Sequence, residues 1–114
     1  MKIGFLSAAM IILASPAVAQ RAQPNIMTIA QVLDRCMTTQ AVRLSRESTD
    51  DEAIFSQAKA QCAELDAALD ASMEREVPAE RQADLKAQLA NSEKPNFMTV
   101  LAKIRSDRSA RASQ

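Results

Sequence analysis

Apolar residues recur at helical spacing from residue 28 onwards. Over residues 28–47 they fall mostly three or four positions apart, which places them on one face of a helix. They are Ile29, Val32, Leu33, Cys36, Met37, Ala41 and Leu44. Thr28 and Gln31 have the spacing of a capping box, and Met27 and Val32 that of a hydrophobic staple. The pattern predicts an amphipathic helix over 28–47 that opens at Thr28.

A second helix is predicted over residues 49–77, where the apolar stripe is the most regular in the chain. Its members step by three or four positions. They are Phe55, Ala58, Cys62, Leu65, Leu69 and Met73. Thr49 and Glu52 form a second capping box, and Asp50 adds negative charge at the positive end of the helix dipole. Pro78 is expected to end or kink this helix, because proline lacks an amide donor.

One or two shorter helices follow. Pro78 can begin a third helix over 78–90, although its only large apolar residues are Leu85 and Leu89. Residues 91–96 predict a break, after which Asn96 can cap a fourth helix. The apolar residues of that helix are Phe97, Val100, Leu101 and Ile104. Whether 78–90 forms a separate helix is left open by the sequence.

The fold expected from these elements is all-α. A polar lead over 20–27 precedes a single helical domain over 28–106, and a polar tail over 107–114 is predicted to be disordered. The helices over 28–47 and 49–77 are expected to form an antiparallel hairpin, which the shorter helices cover. A chain of 114 residues supports one domain at most.

The two cysteines predict a cross-link between the first two helices. Cys36 lies thirteen positions before Thr49 and Cys62 thirteen after it, so both stand at the same height in an antiparallel pair. Helices with axes about 8–10 Å apart can bring facing Cα atoms to about 5–6 Å, which suits a disulfide. Two free buried thiols are the alternative. A redox catalyst usually has a closer pair, and zinc would need more ligands than a chain without histidine offers.

Residues 1–19 have the features of a secretory signal peptide. Lys2 precedes an apolar run over 3–14, and Ala17 and Ala19 are small residues at the positions that a signal peptidase reads. Twelve residues in a helix cover about 18 Å, against about 30 Å of hydrocarbon core, so this run is short for a membrane span. We expect cleavage after Ala19, a periplasmic or secreted mature chain, and no stable membrane insertion after cleavage.

Composition argues against most catalytic and cofactor chemistry. The single glycine is Gly4, and the chain has no histidine, tryptophan or tyrosine. Glycine loops for phosphates are therefore absent after cleavage, together with the commonest general base and metal ligand. Met37 and Met73 lie on or beside the apolar stripes, where methionine is usually core rather than a copper ligand. We expect no enzyme activity, no cofactor, no metal and no catalytic residues.

Charge is unevenly distributed along the chain. Residues 47–84 contain 11 acids and 3 bases, and residues 94–114 contain 1 acid and 5 bases. A row of acids at four-residue spacing is either a solvated face or a surface for a basic partner. The row is Asp66, Asp70 and Glu74. It is expected to be exposed, on the side of its helix opposite the apolar stripe.

A row of bases near the end of the chain is either a solubilising tail or an anion-binding site, and it could also touch the protein's own acidic helix. The row is Arg105, Arg108 and Arg111. Balanced charge and a tail without stacking aromatics argue against nucleic-acid binding.

The function indicated by these observations is that of a small exported helical protein that acts by binding another protein. The alternative is an envelope-associated module whose basic tail binds anionic lipid or cell-wall polymer, in a manner that weakens as salt rises. A small enzyme is a third and less favoured hypothesis. The sequence specifies neither the partner nor the oligomeric state.

Overall fold

The computed structural model describes residues 25–114, which form four helices. These are α1 (Ile26–Leu44), α2 (Asp51–Gln61), α3 (Ala63–Glu76) and α4 (Ala79–Ala112). The predicted all-α class is confirmed. A disulfide between Cys36 and Cys62 joins α1 to the junction of α2 and α3, as the matched spacing predicts. The expected signal peptide and its cleavage site lie outside the described residues.

Helix α1 begins earlier than the sequence pattern predicts. Asn25 is its N-cap, and the Asn25 Oδ1 atom accepts a hydrogen bond of 2.9 Å from the Thr28 amide. The expected cap at Thr28 is therefore wrong. The Asn25 side chain caps the Thr28 amide, so the helix already begins at Ile26 and Thr28 lies in its first turn. The helix also ends earlier, at Leu44, whose carbonyl accepts from the amides of Glu47 and Ser48 in the following turn.

The predicted second helix is divided into two. Cys62 has φ −103° and ψ 15°, outside the helical region, and it separates α2 from α3. The cap is also shifted by one residue, since the Asp50 carboxylate rather than Thr49 accepts from the Ala53 amide at 3.2 Å. The residue that interrupts the helix is the one cross-linked to α1, with a Cα–Cα distance of 6.1 Å. Periodicity alone did not reveal this break, because the apolar stripe continues through it.

The four helices form three legs, namely α1, the consecutive pair α2–α3, and α4. The backbone amide of Ile26 donates to the Glu76 carboxylate at 3.0 Å, so α1 starts where α3 ends. Helix α4 then runs back beside α3 and α2, and the Phe55 and Phe97 rings lie 5.3 Å apart in an edge-to-face arrangement. Near its end α4 meets the end of α1, where Arg108 donates to the Val42 carbonyl. The legs α1 and α4 are therefore parallel to each other and antiparallel to α2–α3.

The core runs along the line where the three legs meet. Its buried apolar residues are Ile29, Leu33, Met37, Ala41, Leu44, Ile54, Ala58, Cys62, Leu69, Met73, Phe97 and Leu101. Both predicted stripes contribute, but Ile54, which lies outside the predicted second stripe, is only 1% exposed. Phe55 and Leu65 are instead half-buried at its edge. In α2 and at the break the buried side chains step strictly by four residues, through Ile54, Ala58 and Cys62.

Helix α4 is continuous where the sequence predicts a break. Pro95 lies inside it, and Asn96, expected to cap a new helix, is an interior residue. Proline removes one amide donor and crowds the carbonyl four residues earlier, which costs about 3 kcal/mol. Burial of Phe97 and Leu101 against the other legs offsets that cost. Residues 107–112, predicted to be disordered, are the last part of the same helix, so the shorter helices become one long one.

We expect Pro95→Ala to raise the free energy of unfolding by about 1–3 kcal/mol, because alanine restores the helix amide at an exposed position. Asn96→Ala is the matched control. In a helix interior it is neutral or slightly stabilising, whereas loss of a helix cap would cost about 1 kcal/mol. Urea unfolding followed by circular dichroism measures both. A neutral Pro95 variant together with a destabilised Asn96 variant would contradict a continuous α4.

We expect replacement of both Cys36 and Cys62 by alanine to lower the free energy of unfolding by about 3.5 kcal/mol, from the entropy of closing a loop of this length. The sequence separation of the pair is 26 residues. Urea unfolding of the variant, and of the wild type with and without a reductant, measures the effect. A difference below about 0.5 kcal/mol would show that the cross-link adds little to helix packing.

Candidate functional site

An apolar groove lies between α1, α3 and α4. It has a volume of about 400 Å³. Its apolar lining residues are Ala30, Leu33, Met37, Leu69, Met73, Leu89, Ala90, Phe97 and Val100. The inner members belong to the core, whereas Leu89 on α4 is 37% exposed. The groove is therefore a place where the core reaches the surface between helices.

Charged residues also line the groove, and negative charge predominates. The charged lining residues are Asp34, Lys59, Asp66, Asp70, Lys86 and Glu93. Four carboxylates and two ammonium groups give this set a net charge of −2. Thr38, Ser92 and Asn96 add neutral polar groups. The site thus combines an apolar surface with an acidic border.

One lysine connects three helices at one part of this border. The Lys59 ammonium lies 2.6 Å from the Asp66 carboxylate on α3 and 2.8 Å from the Glu93 carboxylate on α4. Its pair with Asp66 spans the break at Cys62, so it holds α2 and α3 together on either side of that residue. A single positive charge faces two negative ones, and this cluster keeps a net charge of −1.

The electrostatic environment of Lys59 stabilises its charged form. Burial by itself lowers the pKa of Lys59, but the hydrogen bonds to Asp66 and Glu93 and the charges of those carboxylates outweigh it, so the pKa is raised. A raised lysine pKa contributes stability that is fully present below the unfolded-state value and is lost as pH rises through the folded-state value. Lys59 is therefore charged at neutral pH.

The remaining charged residues of the border do not pair with one another. The Lys86 ammonium lies 3.6 Å from the carboxylate of Glu74, which is outside the groove lining. Asp34 on α1 and Asp70 on α3 are exposed, and within residues 25–114 neither forms an ion pair or a hydrogen bond through its carboxylate. These two carboxylates are the uncompensated charges beside the apolar surface.

The acidic row predicted from the sequence is divided by the structure. Asp66 is half-buried and paired, Asp70 is exposed at the groove, and Glu74 is exposed and faces Lys86. The expectation that all three lie on the side opposite the apolar stripe is wrong for Asp66 and Asp70, since both line the groove with Leu69. The break at Cys62 sets α3 apart from α2, so positions could not be projected along one straight helix.

The arginine row has two members engaged within the chain. Arg105 forms an ion pair with Asp51 at the start of α2. Arg108 donates hydrogen bonds to the Ser45 hydroxyl at 2.8 Å and to the Val42 carbonyl at 2.7 Å, where it satisfies an acceptor at the end of α1. Arg111 is exposed. The structure thus joins two of these residues to the helix ends rather than presenting all three to solvent.

A second cleft, of about 360 Å³, lies at the turn between α3 and α4. Glu76, Arg81 and Asp84 are its charged lining residues. The Glu76 carboxylate already accepts from the Ile26 amide, so it serves to hold the start of α1. This cleft is structural and is not the candidate site.

Other kinds of site are not found in the part of the chain that the structure describes. Among residues 25–114, no three side chains of the metal-binding types come together to hold an ion. No helix in that range is long and apolar enough to cross a membrane.

A scan against models of protein families, a search of curated proteins and a search of solved structures each found no match.

Sequence reasoning missed three residues that define the groove. The predictions give no role to Asp34, which follows Leu33 on α1. They include Lys59 only in the count of charges, and Leu89 only as an apolar residue of the helix over 78–90. The available signal was Leu89, which with Leu85 is one of two large apolar residues in an otherwise polar segment. Its position against α1 and α3 depends on the continuous α4, which the sequence did not predict.

We expect Arg108→Gln to lower the free energy of unfolding by about 1 kcal/mol, because hydrogen bonds at the end of α1 are lost. Arg111→Gln removes the same charge from an exposed neighbour and should change stability by less than about 0.5 kcal/mol. Thermal and urea unfolding of both variants measure the difference. Equal stability of the two variants would mean that Arg108 behaves as part of a solvated tail.

Proposed function

We propose that this chain is a non-catalytic protein that binds a segment of another protein in the groove between α1, α3 and α4. The observation that carries the proposal is an apolar surface continuous with the core but open at Leu89. Apolar clefts with a few polar groups at the border are the places where proteins usually bind their ligands. Of the six charged residues at this border, Lys59, Asp66 and Glu93 are paired with each other. Asp34 and Asp70 have no ion pair within residues 25–114 and can meet a partner.

The length of the groove supports a segment of a protein as the ligand. Its wall on α1 runs from Ala30 to Thr38 and its wall on α4 from Lys86 to Val100. At about 1.5 Å per residue these walls are about 12 Å and 21 Å long, which corresponds to two to four turns of a helix. Helical segments commonly bind such grooves through apolar residues spaced three, four and seven apart.

The compartment proposed from the sequence is consistent with this role. A disulfide between helices fits an oxidising environment outside the cytoplasm. Together with the signal-peptide features of residues 1–19, it supports a periplasmic or secreted protein. In that setting the disulfide helps to keep the helices that form the groove in place.

The alternative function, binding of anionic lipid or cell-wall polymer by the basic tail, has weaker support. It would require the three arginines to be available together, whereas Arg105 is paired with Asp51 and Arg108 with the end of α1. Only Arg111 of this row is exposed. The groove therefore offers the better-defined surface.

The test uses two matched replacements of an exposed apolar residue. Leu89→Gln changes the open part of the groove, and Met27→Gln changes an apolar side chain that is 67% exposed outside it. We expect the tagged mature protein to capture a specific partner from its own envelope fraction. The capture should persist with the Met27 variant and be lost with the Leu89 variant, since glutamine weakens an apolar contact without removing core.

The stability of both variants is measured by thermal unfolding alongside the capture. The proposal is overturned if the Leu89 variant is folded and captures the same partner as efficiently as the wild type. It is also overturned if both glutamine variants lose the partner equally, because the groove would then have no special role.

A further inference from the structure

We propose that the partner segment is a cationic amphipathic helix, whose basic side chains meet Asp34 and Asp70 while its apolar side chains enter the groove. This inference rests on the proposed function and adds the chemistry of the partner. The ligand is thus a helix with an apolar face bordered by lysine or arginine, and not an acidic or purely apolar one.

Charge complementarity supports a basic partner. The charged residues that line the groove have a net charge of −2, and the Lys59 cluster cannot neutralise it because one ammonium serves two carboxylates. Asp34 and Asp70 remain without an internal ion pair in the described part of the chain. Both stand beside apolar lining residues, where a basic side chain would replace solvent as the counter-charge.

The two carboxylates also have a defined place in the groove. Asp34 is on α1, Asp70 is on α3, and α4 contributes the exposed Leu89 on the remaining wall. A helix in this groove would therefore have basic residues towards α1 and α3 and apolar residues towards the core and Leu89. That arrangement is an amphipathic helix with its charges at the border of the apolar face.

A helix fits these walls better than an extended strand. The groove is formed by three helices, whose side-chain ridges accept the ridges of a fourth helix. Strand addition needs an exposed sheet edge, and residues 25–114 contain no strand. A partner helix in the groove would add a fourth leg to these three, as in a four-helix bundle.

The test measures binding of three synthetic helical peptides by fluorescence anisotropy. They share one leucine face and carry lysine, glutamine or glutamate at the flanking positions. We expect the lysine peptide to bind the mature wild-type protein about tenfold more tightly than the glutamine peptide, from two ion pairs with exposed carboxylates. The glutamate peptide should bind more weakly still, and the affinity for the lysine peptide should fall as salt rises.

Two double variants separate a local effect from net charge. Asp34→Asn with Asp70→Asn removes the unpaired carboxylates of the groove. Glu47→Gln with Glu64→Gln removes two exposed carboxylates outside it, with the same change in total charge. We expect the first pair to lose about tenfold in affinity for the lysine peptide and the second pair to retain at least half of the wild-type affinity.

Several results would overturn the inference. These are equal affinity of the two double variants for the lysine peptide, a glutamate peptide that binds as well as the lysine one, and no measurable binding of the lysine peptide. A concentration-dependent dimer that Leu89→Gln abolishes would also overturn it, because a second copy would be the occupant. If the asparagine variant still captures the natural partner and Leu89→Gln does not, this inference fails while the proposed function stands.

Discussion

The cross-link between Cys36 and Cys62 is the constraint on which the rest of the structure depends. It joins the middle of α1 to the residue at which α2 gives way to α3, so one covalent bond positions three helices at once. The Lys59–Asp66 pair then spans the same junction through charge. Because α1 and α3 form two walls of the groove, their separation is determined where they are covalently connected.

The third wall is held in a different way. Only Phe97 and Leu101 of the 34 residues in α4 are buried apolar residues. The helix is further attached by polar contacts at its ends, where Gln82 donates to the Val77 carbonyl and Arg108 to the end of α1. The wall that carries Leu89 thus has a narrow apolar attachment, and its position depends on hydrogen bonds and ion pairs more than the other walls do.

The sequence predicted those features that depend on spacing within a helix. Matched intervals around Thr49 placed Cys36 and Cys62 together, and the stripe from Ile29 to Leu44 identified the buried face of α1. Prediction from the sequence failed where long-range packing overrides a local signal. Pro95 and Asn96 resemble a helix boundary, but the burial of Phe97 and Leu101 just after them against the other helices offsets the cost of the proline, and α4 is continuous. The groove was not predicted for the same reason, since it requires the relative placement of three helices.

The turns of this fold use only right-handed or extended backbone. Among residues 25–114 none has a positive φ, and the chain's single glycine is at position 4. No turn in that range therefore requires glycine on conformational grounds, and its positions can accept most L-amino acids without backbone strain. A segment without glycine also has fewer conformations to lose on folding. Apart from the capping residues Asn25 and Asp50, the connections should therefore tolerate substitution more readily than the two cysteines and the buried stripes do.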